Sequence, residues 1–299
     1  MPNQPVTYYN RYAKRMEEEQ IFGEFWLRFI YENPLGKAAL HTLIKRKLFS
    51  KWYGLMANQP SSRRKIIKFV EKYNINTAEF SDREHPFRNF NEFFSRKLNR
   101  EARPVAGNPD KVVFPADGRH LAIPNLAKSD RVFVKGQQFN LRKLLGSKKL
   151  ADQYANGSLL MSRLCPTDYH RFHFPFAGVP SASKRVRGPL FSVSPIALKR
   201  HLDYLWTNER QISTLNTRNM GAIIMLEIGA TCVGTIEQTY QPETRVSKGS
   251  EKGCFHFGGS CTITIFAPGT IRFADDLLTN SREGIETYAR MGDTVGLVC

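Results

Sequence analysis

Three short stretches hold the side chains that could do chemistry. In GCFHFGGSCT (253–262), Ser260 follows two glycines between segments that alternate like half-buried strand. In RLCPTDYHRFHFPFAG (163–178), His170 and His173 stand three residues apart. In FPADGRH (114–120), Asp117 precedes a glycine. Serine, imidazole and carboxylate are the parts of a nucleophile, its base and the group that orients the base. GGSC is not the G-x-S-x-G elbow of the α/β-hydrolases. The Ser260 hydroxyl has another target, the carbonyl of Gly259. Attack there turns the peptide bond into an ester. β-Elimination opens the ester, and the dehydroalanine left at 260 hydrolyses to a pyruvoyl group with loss of ammonia. Glycine before the serine suits this, because it lacks Cβ and reaches unusual backbone angles.

Each stretch also has a plain structural reading. Gly258, Gly259 and Ser260 fit a β-bulge. Pro-Ala-Asp-Gly fits a turn in which Asp bonds local backbone. His170 and His173 fit a structural hydrogen-bonding pair. A metal on this HxxH pair is disfavoured, because Pro166 and Pro175 interrupt the segment and no third ligand accompanies it.

The elements that must position these residues fall into two parts. Over the first hundred residues apolar side chains recur at helical spacing. Phe22, Phe25, Trp26, Phe29 and Ile30 form one face, ended by Pro34. Helices are expected over 35–49, with Leu40, Leu43, Ile44 and Leu48 together, and over 62–74, with Ile66, Phe69, Val70 and Tyr73 together. After residue 105 the period becomes two: KVVFPADG, RVFVKG, SLLMSRL, GPLFSVS, AIIMLEIGATCVGTI, CFHFGG and TITIFAPG read as strands. The fold class is therefore α+β, with a helical region over 1–105 and a β-rich catalytic domain over 106–299. SRKLNREARPVAGNPD (95–110) is the junction.

The 299 residues carry a net charge of +17, which implies an anionic partner. Residues 1–105 hold 20 Lys+Arg against 11 Asp+Glu, so the excess is densest there without forming a tail. Lys37, Lys45, Arg46, Lys47 and Lys51 flank an apolar helix face, a pattern shared by packed surface helices and by helices that lie on an anionic lipid surface. No RNA- or DNA-binding signature accompanies the charge, so nucleic acid is not the expected partner. The odd count of five cysteines, with no CxxC pair, argues against a disulfide framework or thiolate zinc site and for reduced, intracellular thiols. No signal peptide and no apolar run long enough to span a bilayer is visible.

Taken in order, FNEFFSRKLNREARPV (90–105), FPADG, KGQQFNLRKLLG (135–146), DYHRFHFP (168–175), FSVSP (191–195), NER (208–210), GATCVGTI (229–236) and KGSEKGCFHFGGSC (248–261) resemble the phosphatidylserine decarboxylase family. The resemblance implies a zymogen that cuts itself between Gly259 and Ser260, using Asp117, His173 and Ser260. Residues 1–259 become a β chain, and residues 260–299 an α chain headed by a pyruvoyl group made from Ser260. It implies that this group, with no metal, forms a Schiff base with phosphatidylserine and releases CO₂ to give phosphatidylethanolamine, with His170 serving the decarboxylation step. A peripheral protein on the intracellular face of an anionic membrane is expected, docking through 35–53, with self-association left open. Two positions depart from the family's habit: Cys261 stands where a hydroxyl residue is common, and Cys165 where serine is. A serine hydrolase using the same three residues on an external ester, and an uncut anionic-lipid-binding protein, are the rival readings.

Overall fold

A computed structural model describes residues 5–81, 86–128, 139–231, 235–258 and 260–299. Gly259, Cys232 and the expected strand RVFVKG lie outside the described residues.

A ten-stranded sheet runs through the molecule. From one edge its order is Arg15–Glu18, Thr7–Asn10, Thr287–Ala289, Gly118–Ile123, Ser158–Leu164, Ser260–Phe266, Ala222–Ile228, Arg210–Asn216 and Val179–Pro180, with Lys184–Val186 also pairing to Arg210–Asn216. The middle strands are antiparallel, with Ile263 opposite Met161 on one side and Leu226 on the other. They are covered on both faces. Leu159, Met161, Ile224, Leu226, Ile263 and Ile265 enter one apolar cluster, while Leu160, Ile223, Met225 and Phe266 enter another. That is why SLLMSRL and AIIMLEI read as nearly continuous apolar runs. Each such side chain, once buried, stabilises the fold by roughly 1.5–3 kcal/mol.

Two three-stranded sheets attach. One orders Ile236–Gln238, Glu251–Phe255 and Arg171–His173, and the other Ile271–Phe273, Thr294–Val298 and Lys111–Val113. The first carries His173 on one strand and the approach to Ser260 on the next.

The N-terminal part is helical over Glu24–Glu32, Pro34–Ala39, Lys47–Asn58 and Arg64–Tyr73, but the boundaries differ from the expectation. Pro34 ends one helix and also opens the next, as the first helical residue, with the Asn33 side chain accepting from Leu35 N. Gly36 lets the two helices touch: a Cβ there would lie 2.0 Å from Phe29 O. The helix expected over 35–49 breaks at Arg46 after a π-helical turn, Leu40–Ile44, closed by Lys45 N to Leu40 O. Ahead of the helices lies an unexpected hairpin, Thr7–Asn10 with Arg15–Glu18, whose first strand pairs in parallel with Thr287–Ala289. GPLFSVS (188–194) is no strand. Its backbone bonds go to scattered partners: the Asn208 side chain donates to Phe191 O and accepts from Phe191 N, Leu190 N donates to Lys45 O, and Ser192 N to Tyr31 Oη.

Helices Lys47–Asn58, Arg64–Tyr73 and Phe90–Phe94 enclose an aromatic cluster of Phe69, Phe80, Phe90, Phe93 and Phe94, and Phe257 belongs to it. The helical part therefore grips the chain three residues before Ser260.

Candidate functional site

Ser260 opens the strand Ser260–Phe266, opposite Leu164, and is fully buried. The segment leading to it is held side by side with the helical part. Phe257 stacks on Tyr53 with ring centroids 5.4 Å apart and meets Phe22, Phe90 and Phe94 edge-on. Phe257 N donates to Asn91 Oδ1 at 2.8 Å. The Asn91 amide nitrogen faces His256 Nδ1, and His256 Nε2 faces Glu237 Oε2 at 2.8 Å. Gly258 then takes φ +137°, an angle that a side chain would disfavour. This glycine sits at the bend before the strand Ser260–Phe266.

His170 Nδ1 lies 3.3 Å from Ser260 Oγ. Its Nε2 lies 2.9 Å from Cys165 O. A carbonyl only accepts, so Nε2 carries the proton and Nδ1 turns a lone pair toward the serine hydroxyl. The ring stacks on Phe94 at 3.8 Å between centroids. Burial, then the nearby Arg96 guanidinium, push its pKa down to about 3, so the imidazole is neutral near pH 7. A neutral imidazole with this tautomer can receive the hydroxyl proton.

His173 ends the strand Arg171–His173, its backbone N bonded to Pro115 O. Burial pushes its pKa down to about 4, against the opposing pull of Glu251 and Asp117, and its Nδ1 has no hydrogen-bond partner. Asp117 is gripped by Arg103, with Nε at 2.9 Å from both carboxylate oxygens and Nη2 at 2.6 Å from Oδ2, and it accepts from Met291 N. Arg103 also binds Glu79. Of the expected residues, only Ser260 and His170 are joined directly. Among the described residues no hydrogen bond links Ser260 to His173 or to Asp117, and Gly259 lies outside them.

The two cysteines that depart from the family's habit have separate surroundings. Cys261 is buried in the larger apolar cluster, and burial drives its thiol well above the usual range. Cys165 Sγ donates to Glu19 Oε1 at 2.8 Å. Glu19 also binds Arg163. Burial opposes ionisation of Glu19, but Arg163, Arg119 and Cys165 outweigh it and hold its pKa at about 2.

A largely apolar cavity of about 630 Å³ reaches this point, lined by Trp26, Ile30, Leu43, Tyr53, Phe257 and Gly258, with Arg163, Glu19 and Cys165 as polar members. The residues around Ser260 fit a self-made carbonyl group there: a buried hydroxyl, a base-ready imidazole, a bent glycine and an apolar recess. Sequence reasoning missed Asn91, Phe94, Arg103 and Phe257 as supports. Three of the four lie in FNEFFSRKLNREARPV, whose aromatic and basic residues were visible but whose targets are far along the chain. A further group of donors, Glu237, Cys254 and His256, lies within 4.8 Å of one another across the strands Ile236–Gln238 and Glu251–Phe255. It was also missed, because pairing between strands is not written in either segment alone.

One pH effect follows. His120, His170 and His173 have pKa values pushed by burial to about 3, about 3 and about 4, from 6.5. Above pH 6.5 neither folded nor unfolded chain protonates them. Below it the unfolded chain binds protons that the folded chain refuses, so stability falls with pH down to the folded values. By pH 5 the loss is about 2 kcal/mol per histidine. Urea midpoints measured from pH 7.5 to 5 are expected to fall steadily; a flat profile would contradict the neutral, buried histidines.

A family model described as phosphatidylserine decarboxylase matches residues 90–297. A Clostridium perfringens protein named phosphatidylserine decarboxylase proenzyme is 42% identical over 291 residues, covering 97% of this chain and 99% of the relative. Proteins of the same name from Clostridium botulinum and Chlamydia pneumoniae are also 42% identical, covering 97% and 98% of this chain and 99% and 97% of theirs.

Proposed function

Since the chain belongs to the phosphatidylserine decarboxylase family, we propose that it is a proenzyme that cuts itself between Gly259 and Ser260 and then converts phosphatidylserine to phosphatidylethanolamine and CO₂. The observation that carries this reading is the approach of Ser260 Oγ to the unprotonated Nδ1 of a buried, neutral His170.

Self-cleavage belongs to Ser260, His173 and Asp117. The Ser260 hydroxyl attacks the Gly259 carbonyl, and His173 takes part as base beside Asp117, whose carboxylate Arg103 holds in place. The pyruvoyl group left at position 260 supplies a ketone for the substrate amine and an electron sink for decarboxylation. His170 sits where it can hand a proton to the substrate α-carbon, because its Nδ1 already faces position 260. Phe94 keeps that ring in place and water away from it.

The apolar cavity at Gly258 receives the acyl chains, with their entry from the membrane surface. The support is the exposed apolar rim. Leu48, Trp52, Leu55 and Met56 share one face of the helix Lys47–Asn58, exposed by 78%, 56%, 63% and 49%, and Phe25 and Trp26 by 74% and 64%. Among the described residues no helix is long and apolar enough to cross a membrane. Residues 1–105 are thus a docking region and 106–299 the decarboxylase domain. Of the three cations in Lys45–Lys47, Lys47 is already paired with Glu209 and Lys45 lies over the Phe191 ring. The lipid-facing attraction then falls to exposed Lys37, Arg46 and Lys51, at roughly 1 kcal/mol each. Wild-type protein is expected to sediment with phosphatidylserine vesicles, less so at high salt. Trp52→Glu with Leu55→Glu should abolish that while leaving the fold intact; unchanged sedimentation would sink the docking face.

The test of the main reading is the intact mass of purified protein. A fragment starting at position 260, blocked at its N-terminus and reactive toward carbonyl reagents, is expected. An active protein found only as the uncut chain would favour a serine hydrolase instead.

A further inference from the structure

A second cavity, of about 790 Å³, is lined by Lys97, Arg100, Arg103, Lys248, Tyr169 and His173. Its charge is one-sided. Arg103 is neutralised by Asp117 and Glu79, and the carboxylate among the lining residues, Glu251, is bound to Arg171 at 2.7 Å. Lys97 and Arg100 are exposed, and neither ammonium nor guanidinium has a carboxylate partner among the described residues. Lys248 hydrogen-bonds carbonyl oxygens, Asn108 O at 2.5 Å and Lys111 O at 3.1 Å, with Asp110 the carboxylate near it. The same cavity is lined by His173, whose Nδ1 is buried and has no hydrogen-bond partner. A buried polar atom left unpaired is costly unless something fills its valence.

We infer that this cavity binds a phosphate-bearing anion, held by Lys97, Arg100 and Lys248 at its wall and by His173 at its depth. Three cations of mixed type, two of them without a carboxylate partner among the described residues, suit a compact, multiply charged oxyanion with several acceptor oxygens. The neutral His173 can donate one N–H to such a group or accept one hydrogen bond from it. The phosphate can arrive in a lipid headgroup or as free phosphate, and the chemistry of recognition is the same. This goes beyond the decarboxylase reading, which places the reacting carbonyl at position 260 and the acyl chains in the other cavity.

The experiment is calorimetric titration of the mature protein with inorganic phosphate and with glycerophosphoserine, a headgroup without chains. It compares wild type with Lys97→Ala/Arg100→Ala, two exposed positions whose loss does not disturb packing. Both probes are expected to bind wild type and to bind the double variant about tenfold more weakly or worse. If the headgroup is the source, glycerophosphoserine binds the tighter and the variant's KM for phosphatidylserine vesicles rises with kcat unchanged. If free phosphate is the source, phosphate binds the tighter and KM stays put. Absence of binding by either probe, or equal binding by the variant, overturns the inference. The titration reads binding alone, so it stands apart from the test of self-cleavage, which is the mass of the small chain.

Discussion

Ser260→Ala yields one uncut 299-residue chain with no carbonyl-reactive terminus and no measurable decarboxylation. The variant removes the hydroxyl proposed to attack the Gly259 carbonyl, and with it the source of the ketone. Stability should change little. The hydroxyl is buried, its one hydrogen bond is to His170 at 3.3 Å, and that partner keeps its bond to Cys165 O. A loss of about 1 kcal/mol or less is expected, the cost of one weak buried bond. Mass spectrometry and thermal melting on the same sample check both halves. Cleavage or turnover surviving in a folded Ser260→Ala protein would end the proenzyme reading. Ser260→Cys is the useful companion, because a thiol keeps a nucleophile at the same place. It should cut slowly, where alanine does not cut.

His170→Ala separates the two reactions. Cleavage is expected to go to completion, though more slowly, because His173 remains and His170 contributes only its contact with the hydroxyl. Turnover by the cut protein should fall by about 10²–10⁴, the usual worth of a positioned general acid or base. His173→Ala should show the reverse, a chain that stays whole. Following the small chain by gel and CO₂ release by isotope, on the same preparations, distinguishes them. A His170→Ala chain that stays whole while His173→Ala still cuts would mean that the imidazole touching Ser260 is itself the cleavage base, and the assigned roles would exchange.

The large features of this fold were legible in the sequence, because they depend on local pattern. SLLMSRL became the strand Ser158–Leu164, and the helical spacing of Ile66, Phe69, Val70 and Tyr73 became the helix Arg64–Tyr73. The hairpin at Thr7–Glu18 was not legible. Its strands are four residues each and partly charged, and a distant strand, Thr287–Ala289, stabilises them. GPLFSVS misled for the opposite reason: its apolar alternation is real, but Asn208, Lys45 and Tyr31 supply the bonds that a neighbouring strand would have made. The chemical residues were legible by type. Their contacts were not: the family resemblance groups Ser260 with His173 and Asp117, and the fold places His170 Nδ1 beside the serine and Arg103 against Asp117. Two residues separate the two imidazoles, so which one faces the serine is decided by the strand Arg171–His173 and by Phe94, not by spacing.

Ser260 begins a strand that has neighbours on both flanks, Ser158–Leu164 on one and Ala222–Ile228 on the other. On the proposed reading, self-cutting needs that strand seated, because Ser260 is its first residue and the paired ladder fixes where the hydroxyl lies. A chain that stalls before its central ladder zips up has no way to arm itself. On the proposed reading, maturation is thereby a checkpoint on folding, passed once and never reversed. Afterwards the short piece stays laced into the middle of its parent, so the two can part only when the whole ladder comes undone.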